Sequence, residues 1–251
     1  MHVTVRLYGS LGDFVVTARR GAAFEYDAGE PRSVKDLIES LGVPHCEVQV
    51  VLVDGESAGF ARVVRGGERI AVYPYFSAID AGDAAVAGEP LPSEPRFVLD
   101  GHLGRLAAYL RALGVDTAHE RDADDASIAR VAAEEGRVVL TRDIGLLKRA
   151  AVRHGWWVRS DNPRLQLREV VSRFGLAARA APFTRCLRCN VPLVPVDPAS
   201  VGDDVPPHVR QRFDAFSRCP ACLRTFWRGT HHAHLESLLA RFATSGTETH
   251  S

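Results

Sequence analysis

Four cysteines fall into two Cys-x-x-Cys pairs, Cys186/Cys189 and Cys219/Cys222, separated by 29 residues. Thiolates at this spacing supply the four ligands of a closed tetrahedral zinc site. A redox dithiol is the competing reading of either pair. Two pairs in one short stretch point instead to structural zinc, whose role is to hold the surrounding chain together. The fifth cysteine, Cys46, has no cysteine near it and reads as a small buried residue. Aspartates make the second constellation. Asp100 follows the apolar run Phe97-Val98-Leu99, Asp143 follows Val138-Val139-Leu140-Thr141-Arg142, and Asp161 follows Trp157-Val158-Arg159-Ser160; Asp124 and Asp125 open a helical stretch. In open α/β sheets, sites form beyond the carboxyl ends of strands. Carboxylates gathered there repel one another, and magnesium or manganese reconciles them. Such ions can deprotonate water at neutral pH and stabilise the attacking and leaving oxygens of a phosphodiester displacement. Each aspartate alone is equally an N-cap that needs no metal. Three strand ends together favour a nuclease centre.

The elements that must position these residues are readable in outline. Residues 2 to 7 alternate as a strand, and Phe14-Val15-Val16 and Phe24-Glu25-Tyr26 extend it as a hairpin. Ser33 caps a helix with Val34, Leu37, Ile38 and Leu41 on its apolar face and Gly42 at its end. Strands follow at 47–53 and 69–75, which together suit a small mixed sheet folded over one helix. Residues 81–95 are rich in Ala, Gly, Pro and Glu without periodicity, and read as a linker. From Arg96 the expected order is strand, helix, helix, strand, helix, strand, helix, with the third helix running from Ile144 to Arg153 and the last opened by Pro163. Strands alternating with helices imply a mostly parallel α/β sheet. The spacer between the cysteine pairs carries Pro192, Pro195, Pro198, Pro206 and Pro207, and predicts an inserted loop with a short helix around Val209 to Phe216.

With 251 residues and 46% of them hydrophobic, the chain can bury more than one core. Its formal net charge is zero, yet the first 90 residues carry 8 basic and 13 acidic residues, and the remainder 23 and 18. That asymmetry permits an acidic partner such as RNA without requiring one. No apolar run reaches the roughly eighteen residues of a membrane span. The amino terminus lacks the apolar segment of a signal peptide, so the expectation is a cytoplasmic protein with no membrane association.

Two resemblances sharpen these expectations. Val5-Arg6-Leu7-Tyr8-Gly9, the helix start Ser33-Val34-Lys35-Asp36-Leu37 and Arg69-Ile70-Ala71-Val72-Tyr73-Pro74 resemble the β-grasp sulfur carriers, the molybdopterin-synthase small subunit and its relatives. Those carriers act through a free Gly-Gly terminus. Gly66-Gly67 is internal here, so the resemblance implies the fold and a protein partner, not sulfur carriage. Asp100-Gly101-His102-Leu103-Gly104-Arg105-Leu106-Ala107, Asp124-Asp125, Ala132-Ala133-Glu134-Glu135-Gly136-Arg137 and Leu140-Thr141-Arg142-Asp143 resemble the Mut-7-C RNase domain, a branch of the PIN-like nucleases. The ribbon, with Phe183-Thr184-Arg185-Cys186 and the closing Phe226-Trp227-Arg228-Gly229-Thr230-His231, resembles the same family. This resemblance implies RNA as substrate and magnesium or manganese held by three or four acids. Carried over by position, these are Asp100 and Asp143, then Asp125 or Asp124, then Asp161.

The expected architecture is therefore α/β: an N-terminal β-grasp domain (1–80), a linker (81–95), a PIN-like three-layer domain with a mostly parallel sheet (96–180), a small zinc ribbon (181–242) and a frayed tail (243–251). Arg105 and Arg142 are candidate phosphate contacts or solvated surface groups. Arg228 and His231, beside Phe226 and Trp227, either grip RNA by stacking and phosphate contact or flank a ribbon core that the two aromatics fill. Thr141 either bonds a carboxylate or caps the following helix, with capping preferred. The activity expected is metal-dependent RNA hydrolysis, and the alternative is a non-catalytic RNA- or protein-binding adaptor on a nuclease-like fold.

Overall fold

A computed structural model describes residues 1–75, 87–202 and 205–229. The chain packs as two compact units, one of Met1–Asp100 and Ala123–Val158, the other of Gly101–Asp122 and Arg159–Ser251.

In the first unit β1 (His2–Leu7) alternates between exposed and buried positions, so Val3, Val5 and Leu7 face the core. It pairs antiparallel with β2 (Ala23–Asp27). A two-stranded ribbon joins β3 (Arg32–Ser33) to β6 (Val63–Val64). Helix α1 (Val34–Ser40) begins where the Ser33 hydroxyl accepts the Asp36 N–H at 3.1 Å and donates to the Asp36 carboxylate at 2.7 Å, a reciprocal cap. Its buried side chains Val34, Leu37 and Ile38 meet the apolar face of the sheet. The sheet is completed by β4 (Val48–Val53), β5 (Glu56–Ser57) and β7 (Arg69–Pro74), in the order β2-β1-β7-β4-β5. Pairing is parallel between β1 and β7 and antiparallel elsewhere, which is the mixed sheet over one helix of a β-grasp fold. Gly66 and Gly67, both at positive φ, form the turn before β7, where the Glu68 carboxylate accepts the Arg65 and Gly66 N–H groups.

The same unit contains three parallel strands, β8 (Phe97–Leu99), β10 (Val138–Thr141) and β11 (Gly155–Trp157), with β10 between the other two. All of β8 and β10 is buried, as expected of strands covered on both faces. Helices α3 (Asp125–Glu135) and α4 (Ile144–Leu147) pack against them. The second unit holds α2 (Gly104–Ala112), β9 (Thr117–His119), α5 (Pro163–Phe174), α6 (Pro207–Arg212) and an antiparallel ribbon of β12 (Val194–Val196), β13 (Phe216–Arg218) and β14 (Thr225–Trp227). Helix α5 starts on the Asn162 cap with Pro163 at its first position and ends at left-handed Gly175.

Several expectations are corrected. Phe14-Val15-Val16 is no strand: 3-10 turns occupy Gly9–Phe14 and Thr17–Arg19, and Val16 is 67% exposed. Phe14 is drawn away by the Trp157 ring, 5.1 Å between centroids. The third helix stops at Leu147 rather than Arg153, because the buried Val152 and the turn at Arg149 redirect the chain. Strand β9 was not expected; it is three residues long and too short for an alternation to register. The spacer helix ends at Arg212, since Phe216 already opens β13. Within the residues expected as a linker, the Ala87 N–H donates to the Gln49 carbonyl at 2.8 Å. Residues 81–86 and the tail 243–251 lie outside the described residues.

Two histidines of the first unit make its stability sensitive to acid. Burial holds both His45 and His154 below the ordinary imidazole value of 6.5; nearby Lys35 adds to this at His45, and Glu39 opposes it. The unfolded chain then binds more protons than the folded one just below that value, so this stability is complete above about pH 6.5 and is lost as pH falls. Melting temperature should therefore decline from pH 7 to pH 5, and His45→Gln/His154→Gln should flatten that decline. An unchanged slope in the folded double variant would contradict it.

Candidate active site and zinc centre

Parallel pairing brings the carboxyl ends of β8 and β10 side by side, with the Asp100 N–H donating to the Leu140 carbonyl at 3.1 Å. At that edge the Thr141 hydroxyl donates to Asp100 Oδ2 at 2.8 Å and accepts the Asp143 N–H at 2.9 Å. One hydroxyl thus ties together the two acids nearest the strand ends. The expected capping role of Thr141 is taken instead by Asp143, whose Oδ1 accepts the Gly145 N–H at 2.6 Å and caps α4. Cap and candidate ligand coincide in Asp143, since a carboxylate has several lone-pair sites and the cap uses one of them. Asp100 is half-buried, whereas Asp143 is exposed.

The next pair is resolved in part. Asp124 is the N-cap of α3, accepting the Ser127 N–H at 2.8 Å, and bonding to Ser127 holds its carboxyl below the usual range. Asp125, the first residue of the helix, faces Arg149 at 3.6 Å. Asp161 lies in the second unit, exposed, one residue before the Asn162 cap. Among the described residues the strand-end carboxylates do not close into a group of three or more metal-spaced ligands. Arg105 on α2 and Arg142 beside Asp143 are both exposed.

The cysteines do close. All four Sγ atoms lie within 4.8 Å of one another, and Cys186 and Cys222 are 3.7 Å apart. Zinc–sulfur bonds of about 2.3 Å in a tetrahedron require edges of about 3.8 Å, so the quartet fits zinc. The two knuckles share one backbone geometry. Asn190 N–H donates to the Cys186 carbonyl and Leu223 N–H to the Cys219 carbonyl, each at 2.9 Å, and both donors sit at positive φ. Leu223 adopts this conformation although 67% exposed, a strained position for its type. The Arg224 backbone N–H draws the Cys222 thiol down to about 7, while hydrogen bonding to Cys222 pushes Cys189 up to about 12.

Helix α2 holds the first knuckle through a residue to which the sequence reading gave no role. Arg111, only 7% exposed, donates to the carbonyls of Thr117, Leu187 and Arg188 at 2.9–3.0 Å. Its charge faces Cys186 and Cys189, which partly offsets the cost of its burial. Asn190 accepts the Thr117 N–H and donates to Asp116, fixing β9 to the same knuckle. Gly114, at φ +84°, has no room for a side chain, because a Cβ would fall 2.3 Å from the Ala181 carbonyl oxygen. Gly114→Ala should therefore destabilise the second unit by at least about 2 kcal/mol, read as a lowered chemical-denaturation midpoint. An unchanged midpoint would show that the Ala181 turn yields freely.

Beside the cysteine quartet a cavity of about 710 Å³ is lined by Phe183, Phe213, Phe226 and Trp227 together with His208, Arg212 and Arg228. Phe213 and Trp227 also pack on the ribbon core of Val201, Val205, Val209 and Phe216, which is the core-filling alternative for Trp227. Arg228 is exposed at the cavity; His231 lies outside the described residues. No helix among the described residues is long and apolar enough to cross a membrane.

The family described as Mut7-C RNAse domain matches residues 95–239, and the one described as Mut7-C ubiquitin matches residues 1–80. Neither the curated proteins nor the solved structures yield a significant match. The first of the two family matches spans more than half of the chain, so this chain belongs to the Mut7-C RNAse domain family and carries a Mut7-C ubiquitin domain at its amino terminus.

Proposed function

We propose that the protein is a metal-dependent ribonuclease that hydrolyses RNA phosphodiester bonds. The observation that carries this reading is the Asp100–Thr141–Asp143 arrangement at the ends of two adjacent parallel strands, in a chain of an RNAse family. Asp100 and Asp143, with Asp125 and Asp161, are the catalytic carboxylates that would hold magnesium or manganese, and Asp124 is the substitute for Asp125. The ion supplies the lowered water pKa and the neutralisation of phosphate charge. Arg142 and Arg105 are assigned to the phosphate backbone, and Arg228 with His231 to RNA at the ribbon. The aromatic and basic lining of the ribbon cavity supports the last assignment, since unpaired bases stack on aromatic rings while guanidinium groups meet phosphate. The cysteine quartet holds zinc as a structural ion. The protein works in the cytoplasm in this reading.

A second reading, an RNA- or protein-binding adaptor, is favoured by one observation: Asp124 and Asp143 each cap a helix and Asp125 pairs with Arg149, roles that a carboxylate fills by itself. Incubating the zinc-loaded protein with total cellular RNA and manganese or magnesium separates the two. Metal-dependent cleavage by wild type, absent in Asp100→Asn, supports the ribonuclease; RNA bound but uncut by folded wild type supports the adaptor.

A further inference from the structure

Helix α4, which Asp143 caps, is a single turn of four residues. One turn does not sustain itself in water. The Lys148 and Arg149 N–H groups meet the carbonyls of Ile144, Gly145 and Leu146, and the amino-terminal domain holds the end of the turn. The Cys46 thiol donates to the Leu147 carbonyl at 3.4 Å, and Lys148 Nζ, next in the chain, donates to the Glu39 carbonyl at 2.8 Å. Gly155 lies against the same contact: a Cβ there would fall 2.9 Å from Cys46 Sγ and 2.6 Å from a Leu147 methyl.

The other end of the segment is held through Trp157. Its indole N–H donates to the Arg142 carbonyl at 3.3 Å, immediately before Asp143. Trp157 is itself gripped by the amino-terminal domain. Its backbone N–H donates to the Glu47 carboxylate at 2.5 Å, and its ring packs on Phe14. Glu47 is 1% exposed, and a carboxylate is removed from water at a cost that only good hydrogen bonds offset. Committing such a group to a nuclease strand indicates a fixed joint, where a tethered adaptor would keep it solvated.

We infer that the β-grasp domain is a working part of the nuclease, with Glu47 and Trp157 as positioning residues that hold the Arg142–Asp143 segment for the site. The inference rests on the reading of Asp143 as a site carboxylate. Its test is hydrogen–deuterium exchange on the full-length, zinc-loaded protein. Trp157→Phe keeps the ring on Phe14 and the backbone bond to Glu47, and removes only the indole donor. Glu47→Ala removes the acceptor; should it fail to fold, Trp157→Phe carries the test.

Amides of 143–147 should exchange about five- to tenfold faster in Trp157→Phe, the effect of losing one hydrogen bond in a locally opening segment, and faster still in Glu47→Ala. Amides of α3, in the same unit, should not change. On RNA, kcat should fall while KM holds. Unchanged exchange at 143–147 in the folded variants overturns the inference, as does an equal rise in α3, which would report general loosening. Failure of wild type to cleave RNA bears on the reading of Asp143, while the exchange comparison decides the coupling by itself.

Discussion

Asp100→Asn and Asp143→Asn should each lower metal-dependent RNA cleavage by at least about 100-fold, with little change in RNA affinity. An amide keeps the size of the carboxylate and one acceptor oxygen, so the Thr141 bond to residue 100 and the cap of α4 by residue 143 can both survive. What is lost is the negative charge that binds a hard cation. The double variant should be no worse than about tenfold below either single one, because residues that serve one ion act as a unit. Thr141→Val removes the hydroxyl bonded to the Asp100 carboxylate and to the Asp143 backbone N–H, and should cost roughly 10- to 100-fold, as orienting partners of metal ligands do. Single-turnover cleavage of an unstructured RNA in manganese separates these effects. Full activity of Asp100→Asn would remove Asp100 from the site.

Loss of zinc should produce the largest structural effect. In Cys186→Ser or Cys219→Ser, or on treatment with a strong chelator, residues 183–229 should become protease-sensitive and bound zinc should fall from one per chain to none. The knuckle bonds from Asn190 and Leu223 hold residues at positive φ, which little besides the metal compensates in so small a core. The damage should spread within the second unit. Arg111 would lose the Leu187 and Arg188 carbonyls that satisfy its buried guanidinium, so α2 should loosen as well. A destabilisation of at least about 3 kcal/mol, or roughly 10 °C in melting temperature, is expected. A zinc-free variant that keeps wild-type melting and protease resistance would show that the quartet is dispensable for the fold.

What was readable in the sequence follows the range of the interactions involved. Local signals carried the helices: the Ser33 cap and Gly42 at α1, and Pro163 at the first position of α5. The cysteine spacing carried the clustering of the four thiols, because both knuckles are closed by bonds within a few residues. The strand-end position of Asp100 and Asp143 was readable from apolar runs. The Thr141 bond to a carboxylate was one of two readings and not the preferred one, since it spans 41 residues and a threonine before an aspartate looks like a cap. The Glu47–Trp157 bond spans 110 residues and left no local trace. Sequence could not choose between Asp124 and Asp125, both at the helix start; structure shows Asp124 occupied as the cap and Asp125 facing Arg149. Phe14 and the short α4 were misjudged because tertiary contacts, of Phe14 with Trp157 and of Leu147 and Lys148 with Cys46 and Glu39, overrode their local pattern.

The most direct measurement is a manganese titration of the zinc-loaded protein, with free ion followed by electron paramagnetic resonance. Wild type should bind manganese at a site that magnesium competes for, and Asp100→Asn and Asp143→Asn should each weaken that binding at least about tenfold. Manganese binding that is absent from the folded wild type, or equal in all three proteins, would contradict a hard-metal nuclease centre at these strand ends.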